Sequence, residues 1–192
     1  MKIHKTNKYS IKIPADVSVI YSKKKKTLTI IGPLKRKSLK LKLKVFLNNA
    51  KKTINLSDSF FYNISNKEKK QIRAIRNSTI ANIKHLLIES STVIFQKLNI
   101  KGVGYRAVFT ETFNQKLITL KLGHSHLIYI KTPEHLSVDC PTKTKICIFG
   151  NSYDDISNFS ALIRANKKPD VYKGKGILYE DEIVILKEGK KI

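Results

Sequence analysis

The chain repeats itself, and the repeat limits how it can fold. A stretch beginning Pro14, with Val17, Ser18 and Val19, leads to Ile30, Ile31 and Gly32; a second beginning Pro133, with Leu136, Ser137 and Val138, leads to Ile148, Phe149 and Gly150. Proline to glycine is 18 positions in the first copy and 17 in the second. Each copy reads as strand, turn, strand, ending at a glycine. Unrelated hairpins can share so short a pattern, but each half also carries a helix, which strengthens the duplication. In the first half Ser65 and Glu68 have capping-box spacing, and Ile72, Ile75, Ile80, Ile83, Leu86 and Leu87 follow as a helical stripe. In the second, Ser152 and Asp155 cap a helix bearing Ile156, Phe159, Leu162 and Ile163, with Pro169 marking its end.

Elsewhere the period is two: Tyr9, Ile11, Ile13; Leu39, Leu41, Leu43, Val45; Val103, Tyr105, Ala107, Phe109; Ile118, Leu120, Leu122. The reading is therefore α+β: two tandem similar domains, 1–91 and 92–192, each an antiparallel β-sheet with a helix packed on one face. A length of 192 residues accommodates two such domains.

Charge decides the class of partner. Lys and Arg number 38 against 14 Asp and Glu, a net +24, while 41% of residues are hydrophobic, so cores are expected. So large an excess repels itself in a compact state, and a polyanionic partner accounts for it. No apolar run approaches the length of a membrane span, so no membrane partner is expected. Residues 1–91 carry +18 and residues 92–192 carry +6. Only five of the basic residues are Arg, leaving 33 Lys, a bias that points to AT-rich coding in an organelle or an AT-rich bacterium. The opening residues form neither a secretory signal nor a typical import presequence. Cys140 and Cys147 lack metal or redox spacing and read as packed small residues.

Several segments could carry chemistry. Lys40, Lys42 and Lys44 alternate with apolar residues, which on one strand places all three on one face at intervals of about 6.6–6.8 Å, suited to phosphates or simply to solvent. Lys23, Lys24, Lys25 and Lys26 read as a hairpin tip contacting a nucleic-acid backbone. Gly102, Gly104 and Ala107 match a dinucleotide fingerprint in form, but β-branched and aromatic residues follow where that fingerprint needs a helix. A strand with exposed Tyr105 and Arg106 fits better, and no cofactor, metal or small-molecule substrate is expected. His124 and His126 lack further ligands, so Ser125 and His126 read as a loop. No nucleophile motif, phosphate loop or carboxylate pair marks an enzyme. In the tail, Tyr172, Lys173, Gly174, Lys175 and Gly176 set lysines between glycines beside an aromatic. Such a loop lets backbone N–H groups reach phosphates while lysines neutralise them and tyrosines stack.

Together, Lys101 to Ala107, Leu122 to His126, Cys140 to Thr142, Lys168 to Gly176 and Lys187 to Lys191 resemble the bacterial-type large-subunit ribosomal protein six family in order and spacing. The first half is similar more loosely, through Ile13, Pro14, Val17, Leu28 to Gly32 and the helix. Val171, Leu178 and Ile192 depart from it, where the family carries Pro, Arg and Lys, and 48–67 lacks the small residues expected there. The resemblance implies duplicated α+β domains and binding to large-subunit rRNA beside the sarcin–ricin loop, near the translation-factor site. It implies neighbouring large-subunit ribosomal proteins as further partners, and RNA contacts from Arg164, Lys167, Lys168, Tyr172 to Gly176, Ser125 and His126. With Lys40, Lys42, Lys44, Lys101, Arg106, Lys187, Lys190 and Lys191, these form the expected RNA-binding set. The compartment that fits bias and family together is the mitochondrial ribosome, with plastid or bacterial cytoplasm as alternatives. A non-ribosomal nucleic-acid-binding protein is the competing function.

Overall fold

Six short strands and a long helix, counted among the described residues, account for most of the first half of this computed structural model. The structure describes residues 10–48, 50–60, 66–112 and 115–189, without the side chains of 57–60, 66–70, 72, 73 and 112. Tyr9, the capping box at Ser65, the side chain of Ile72, Lys190, Lys191 and Ile192 therefore lie outside the described residues. The chain divides into two compact units, Met1–Thr92 and Val93–Ile192.

In the first unit, β1 (Ser10–Lys12), β2 (Ser18–Ser22), β3 (Thr27–Ile31), β4 (Arg36–Lys40), β5 (Leu43–Asn48) and β6 (Thr53–Phe60) precede helix α1 (Asn66–Ser91). They form two antiparallel three-stranded sheets, β2-β3-β4 and β1-β6-β5, rather than one. Leu28, Ile30, Leu43 and Ile54 from both sheets are wholly buried with Ile83 of α1. Leu87 joins them, while Ile75, Ile80 and Leu86 pack at the margin, so the helical stripe forms where it is described. The buried Glu89 pairs with Lys37 of β4, fastening the helix to the sheet.

The lysine row does not lie on one strand. The chain leaves the first sheet at Lys40 and enters the second at Leu43. Leu41 is the pivot: its N–H donates to the Lys26 carbonyl at 2.8 Å, and its side chain is buried. Burial still alternates through the corner, so Lys40, Lys42 and Lys44 are all exposed beside buried Leu41, Leu43 and Val45. Apolar periodicity records which side faces the core, and a corner between two sheets preserves that record while ending the ladder.

The second unit runs β7 (Ile94–Lys101), β8 (Arg106–Thr112), β9 (Gln115–Lys121), β10 (Ile128–Lys131), β11 (Leu136–Thr142), β12 (Lys145–Gly150), α2 (Tyr153–Ala165) and β13 (Gly176–Tyr179). Its sheets are β10-β9-β8 and β11-β12-β7-β13, all antiparallel. Ile118, Leu120 and Leu122 are fully buried, as their alternation predicts. Helix α2 turns Ile156, Phe159, Ser160 and Ile163 inward. Leu162, expected in the core, is half-exposed, because the spacing of the other three selects position 160 on that face. Ser160 disposes of its hydroxyl by donating to the Ser157 carbonyl at 3.0 Å. Ser152 occupies the N-cap with extended backbone but makes no side-chain capping bond.

The two repeats open as the same hairpin in three dimensions and differ toward the tip, where β2–β3 keeps its register to Ser22 and Thr27 while β11–β12 shifts register between Asp139 and Thr142. Val17 N–H bonds the Pro14 carbonyl in one, and Leu136 N–H the Pro133 carbonyl in the other. Ser18 then pairs with Ile31, and Ser137 with Phe149, in each case the residue before the glycine. Each glycine meets close neighbours. A Cβ on Gly32 would stand 2.2 Å from the Ser90 carbonyl oxygen of α1, and one on Gly150 would stand 2.6 Å from Leu136 Cδ2 and 3.2 Å from Ile156 Cγ1 of α2.

Cys140 and Cys147 are free and half-buried, and burial pushes the Cys140 thiol up to about 11. Leu178, buried on β13, pairs with Asn99, so it points away from the core-facing Leu98 and Ile100. No helix among the described residues is long and apolar enough to cross a membrane.

Candidate nucleic-acid interface

Turns at one end of the second unit gather much of the expected RNA-binding set. The segment predicted as a strand from Val103 is instead a turn, 102–105, between β7 and β8. Gly102 and Gly104 adopt φ of 154° and 74°, which β-branched or aromatic residues resist. Val103 projects from the turn, 90% exposed. Tyr105 is not displayed as expected; it folds back, half-buried, against the core. A Cβ on Gly102 would lie 2.5 Å from its ring, and one on Gly123 would lie 2.9 Å from its Cε1. Tyr105 thus sits between two glycines and joins the 102–105 turn to the loop holding His124, Ser125 and His126. That loop is exposed, with the two imidazoles stacked at 5.8 Å. No group of three metal-binding side chains exists among the described residues.

Arg106, exposed, opens β8 directly opposite Lys121. Like charges facing across a ladder repel, and an anion over the pair relieves that repulsion. Lys101 closes β7 and pairs with Gly176 of β13. This pairing brings the first turn to the tail: Lys101, Gly102, Lys173, Gly174 and Lys175 line one cleft of about 700 Å³, together with apolar Ile183, Val184 and Leu186 and with Glu180 and Glu182, whose carboxylates pair with Lys97 and Arg164.

The tail loop is built differently from its sequence-level reading. Asp170 holds it closed: its carboxylate oxygens accept the N–H groups of Tyr172 at 3.3 Å and Lys173 at 3.1 Å. Its carbonyl accepts the Gly174 N–H at 2.9 Å, and its own N–H donates to Lys175 at 3.0 Å. Three backbone donors expected to face phosphates are therefore satisfied internally, which leaves cationic side chains to face outward. Gly174, at φ 65°, makes the turn. Gly176 serves close packing, since a Cβ there would lie 2.7 Å from Pro169 Cα and 2.8 Å from the Lys168 carbonyl oxygen. Tyr172, Lys168 and Lys173 are exposed, Lys167 and Lys175 half-buried, and the Lys167 carbonyl accepts the Ile177 N–H at 2.9 Å.

Arg164 is committed to the protein itself. Its Nε and Nη2 donate to Glu182 at 3.0 and 2.5 Å, and its guanidinium lies 5.4 Å from the centroid of the Tyr179 ring. Glu182 also accepts the Tyr179 N–H at 3.2 Å. The hydrogen bonds between them raise the Arg164 pKa and hold the Glu182 carboxyl below its ordinary range. This clamp ties the end of α2 to the chain beyond β13. Farther on, Lys187 is exposed, and its N–H donates to the Val171 carbonyl at 2.9 Å. Sequence reasoning missed Asp170 and the seating of Tyr105. It reads the acidic run Glu180 to Glu182 as making local salt bridges, and Glu180 and Glu182 do pair with Lys97 and Arg164, though it did not name the partners. Asp170 carried a signal, because Pro-Asp followed by glycine is turn chemistry; the Arg164 partner lies 18 positions away and carried none.

The other predicted basic residues, Lys40, Lys42 and Lys44, belong to the first unit and are exposed there. The tip lysines Lys23, Lys24 and Lys25 are exposed too, on the turn between β2 and β3.

Residues 101–180 match the family model described as ribosomal protein L6, a span covering both loops and β13. Over 181 residues the chain is 33% identical to the large ribosomal subunit protein uL6 of Alkaliphilus metalliredigens, covering 94% of each chain. It is 35% identical over 181 residues to the uL6 protein of Mycoplasmoides gallisepticum, covering 94% of this chain and 92% of the relative. To the uL6 protein of Dechloromonas aromatica it is 42% identical over 112 residues, 58% of this chain and 61% of that one. With near full-length similarity joined to the duplicated hairpin-and-helix plan, the chain belongs to the ribosomal protein L6 family.

Proposed function

We propose that this protein binds large-subunit rRNA beside the sarcin–ricin loop, as a structural constituent of the large ribosomal subunit with no chemistry of its own. Family membership supports the ribosomal role. The observation that carries the RNA contact is the gathering of Lys101, Lys173 and Lys175 around one cleft, with Arg106 opposed to Lys121 on the strand leading from the same turn. Phosphates neutralise these cations, exposed Tyr172 offers an apolar face to a base or sugar, and the loops Tyr105 joins present a fixed shape. The first unit, at +18, supplies most of the long-range attraction, with Lys40, Lys42 and Lys44 and the tip lysines as its contacts. Arg164 acts in this reading by holding the docking end in shape.

Two measurements test the reading. Sedimentation of extract from the source cells or organelles places the chain with large subunits; recovery only in light fractions overturns it. Binding to an rRNA fragment containing the sarcin–ricin loop weakens by about 10³–10⁵ between 50 and 200 mM salt if some 6–10 phosphates are neutralised. A flat response refutes the electrostatic mechanism. The preponderance of Lys over Arg supports a mitochondrial ribosome as the home of this chain, and fractionation of purified mitochondria tests that assignment.

A further inference from the structure

The outer face of the β10-β9-β8 sheet carries charge that the protein does not spend on itself. Alternation along the three strands turns Ala107, Ile118, Leu120 and Ile130 into the core. The residues between them share the opposite face in cross-strand rows: Arg106 with Lys121, Thr119 with Val108 and Tyr129, and Leu117 with Lys131. Among the described residues this face holds no Asp or Glu. Lys97, Lys116 and Arg164 of the same unit are paired with Glu180, Glu111 and Glu182. Arg106, Lys121 and Lys131 are exposed, and among the described residues no carboxylate pairs with any of them. Tyr129 stands among these cations, 63% exposed. Lys121 is its diagonal neighbour across the ladder, about 7–8 Å away, and Lys131 follows two positions along the same strand, at about 6.7 Å.

An exposed ring flanked by unspent cations selects the occupant. The centre of a protein–protein interface is apolar and depleted of Lys, whereas here a lysine stands on either side of the ring, with the small polar Thr119 next to it. Duplex RNA keeps its bases in the stack and offers Tyr129 no free face. An unpaired strand offers both things at once, a flat base for the ring and phosphates for the lysines. We propose that the outer face of this sheet is a stacking platform for an unpaired stretch of rRNA, with one base on Tyr129 and the neighbouring phosphates on Lys121 and Lys131. The platform rests on the RNA reading above and extends it. Arg106 and Lys121 stand at its end nearest the loop of His124, Ser125 and His126, which joins β9 to β10. Tyr129 and Lys131 carry the contact along the sheet, away from that loop.

Large subunits carrying a photo-crosslinking residue in place of Tyr129, and others carrying it in place of Lys173, separate the platform from the cleft. The Tyr129 probe is expected to join rRNA at an unpaired nucleotide, located by the stop it causes in reverse transcription. Crosslinks from position 129 only to protein, only to base-paired rRNA, or to nothing overturn the proposal, whatever the Lys173 probe joins. A crosslink to unpaired rRNA from position 129 with none from 173 supports the platform and counts against the cleft instead. In solution, Tyr129→Ala should weaken binding of the full chain to large-subunit rRNA about tenfold or more, while Tyr129→Phe, which keeps the ring, stays within about twofold of the wild type. Both positions are exposed, so neither change disturbs the core. Equal losses from the two variants, or no loss from Tyr129→Ala, overturn the stacking. Lys131→Ala should lower the salt slope by about 0.7, the value for one phosphate of an unpaired strand; an unchanged slope overturns the phosphate contact.

Discussion

Gly176→Ala is the single methyl group that should do most damage to the docking end. Two effects add. At φ 152° an alanine sits in a sparsely populated region, at about 1–3 kcal/mol. Its Cβ would also stand 2.7 Å from Pro169 Cα and 2.8 Å from the Lys168 carbonyl oxygen, backbone atoms that cannot rotate away. Overpacking of this kind costs about 1–3 kcal/mol, so the expected loss is about 2–5 kcal/mol in the second unit. Gly174→Ala is the matched control: φ 65° lies in the left-handed well at about 1–2 kcal/mol, and its nearest neighbour is the movable end of Leu186 at 3.3 Å. Hydrogen exchange at Ile177, Leu178 and Tyr179 reads the difference on β13 directly. The Gly176 variant should accelerate these amides about 30-fold or more, and the Gly174 variant clearly less. Equal acceleration by the two would refute the claim that contact with the 168–169 backbone is why glycine stands at 176.

Asp170→Ala adds a unit of positive charge to an RNA-facing loop yet is expected to weaken RNA binding about tenfold, because Tyr172 and Lys173 lose their backbone anchors; stronger binding in filter assays would show that charge outweighs shape there. Lys173→Ala should lower the salt slope of RNA binding by about one, whereas Arg164→Gln should loosen 180–187 and weaken binding with the slope nearly unchanged, its charge being spent on Glu182. The Glu182 pKa lies lower folded than unfolded, so the stability of this clamp is present above the ordinary carboxylate range and is lost as pH falls through the depressed folded value; Glu182→Gln should flatten that acid limb in urea titrations. With its thiol pushed from 9.0 to about 11, Cys140 should alkylate about 100-fold more slowly at neutral pH than an unperturbed thiol, as timed iodoacetamide labelling and mass spectrometry would measure.

The repeat, the two helices and the apolar alternation were legible because each is a local pattern with a direct physical meaning. The corner at Leu41 was not, since alternation of burial is the same whether a strand continues or passes to a second sheet. The exposure of Leu162 was missed for a related reason: hydrophobicity nominated it, while the geometry of the buried face selected Ser160. In the candidate site, glycines and lysines were visible as types, but their uses were not. Gly176 looks like a concession to RNA until the Lys168–Pro169 backbone is seen against it. Arg164 looks like a phosphate ligand until Glu182 arrives from beyond β13. Such pairings depend on long-range closure of the chain, which no spacing rule encodes.

Tyr105 has a consequence for how this end of the protein can change. Its ring is a shared wall: the turn at Gly102 leans on one part of it and the loop at Gly123 on another. Neither loop can gain a side chain at its glycine without displacing the wall for the other. A substitution at either glycine is therefore felt at both loops, because the ring it displaces is shared.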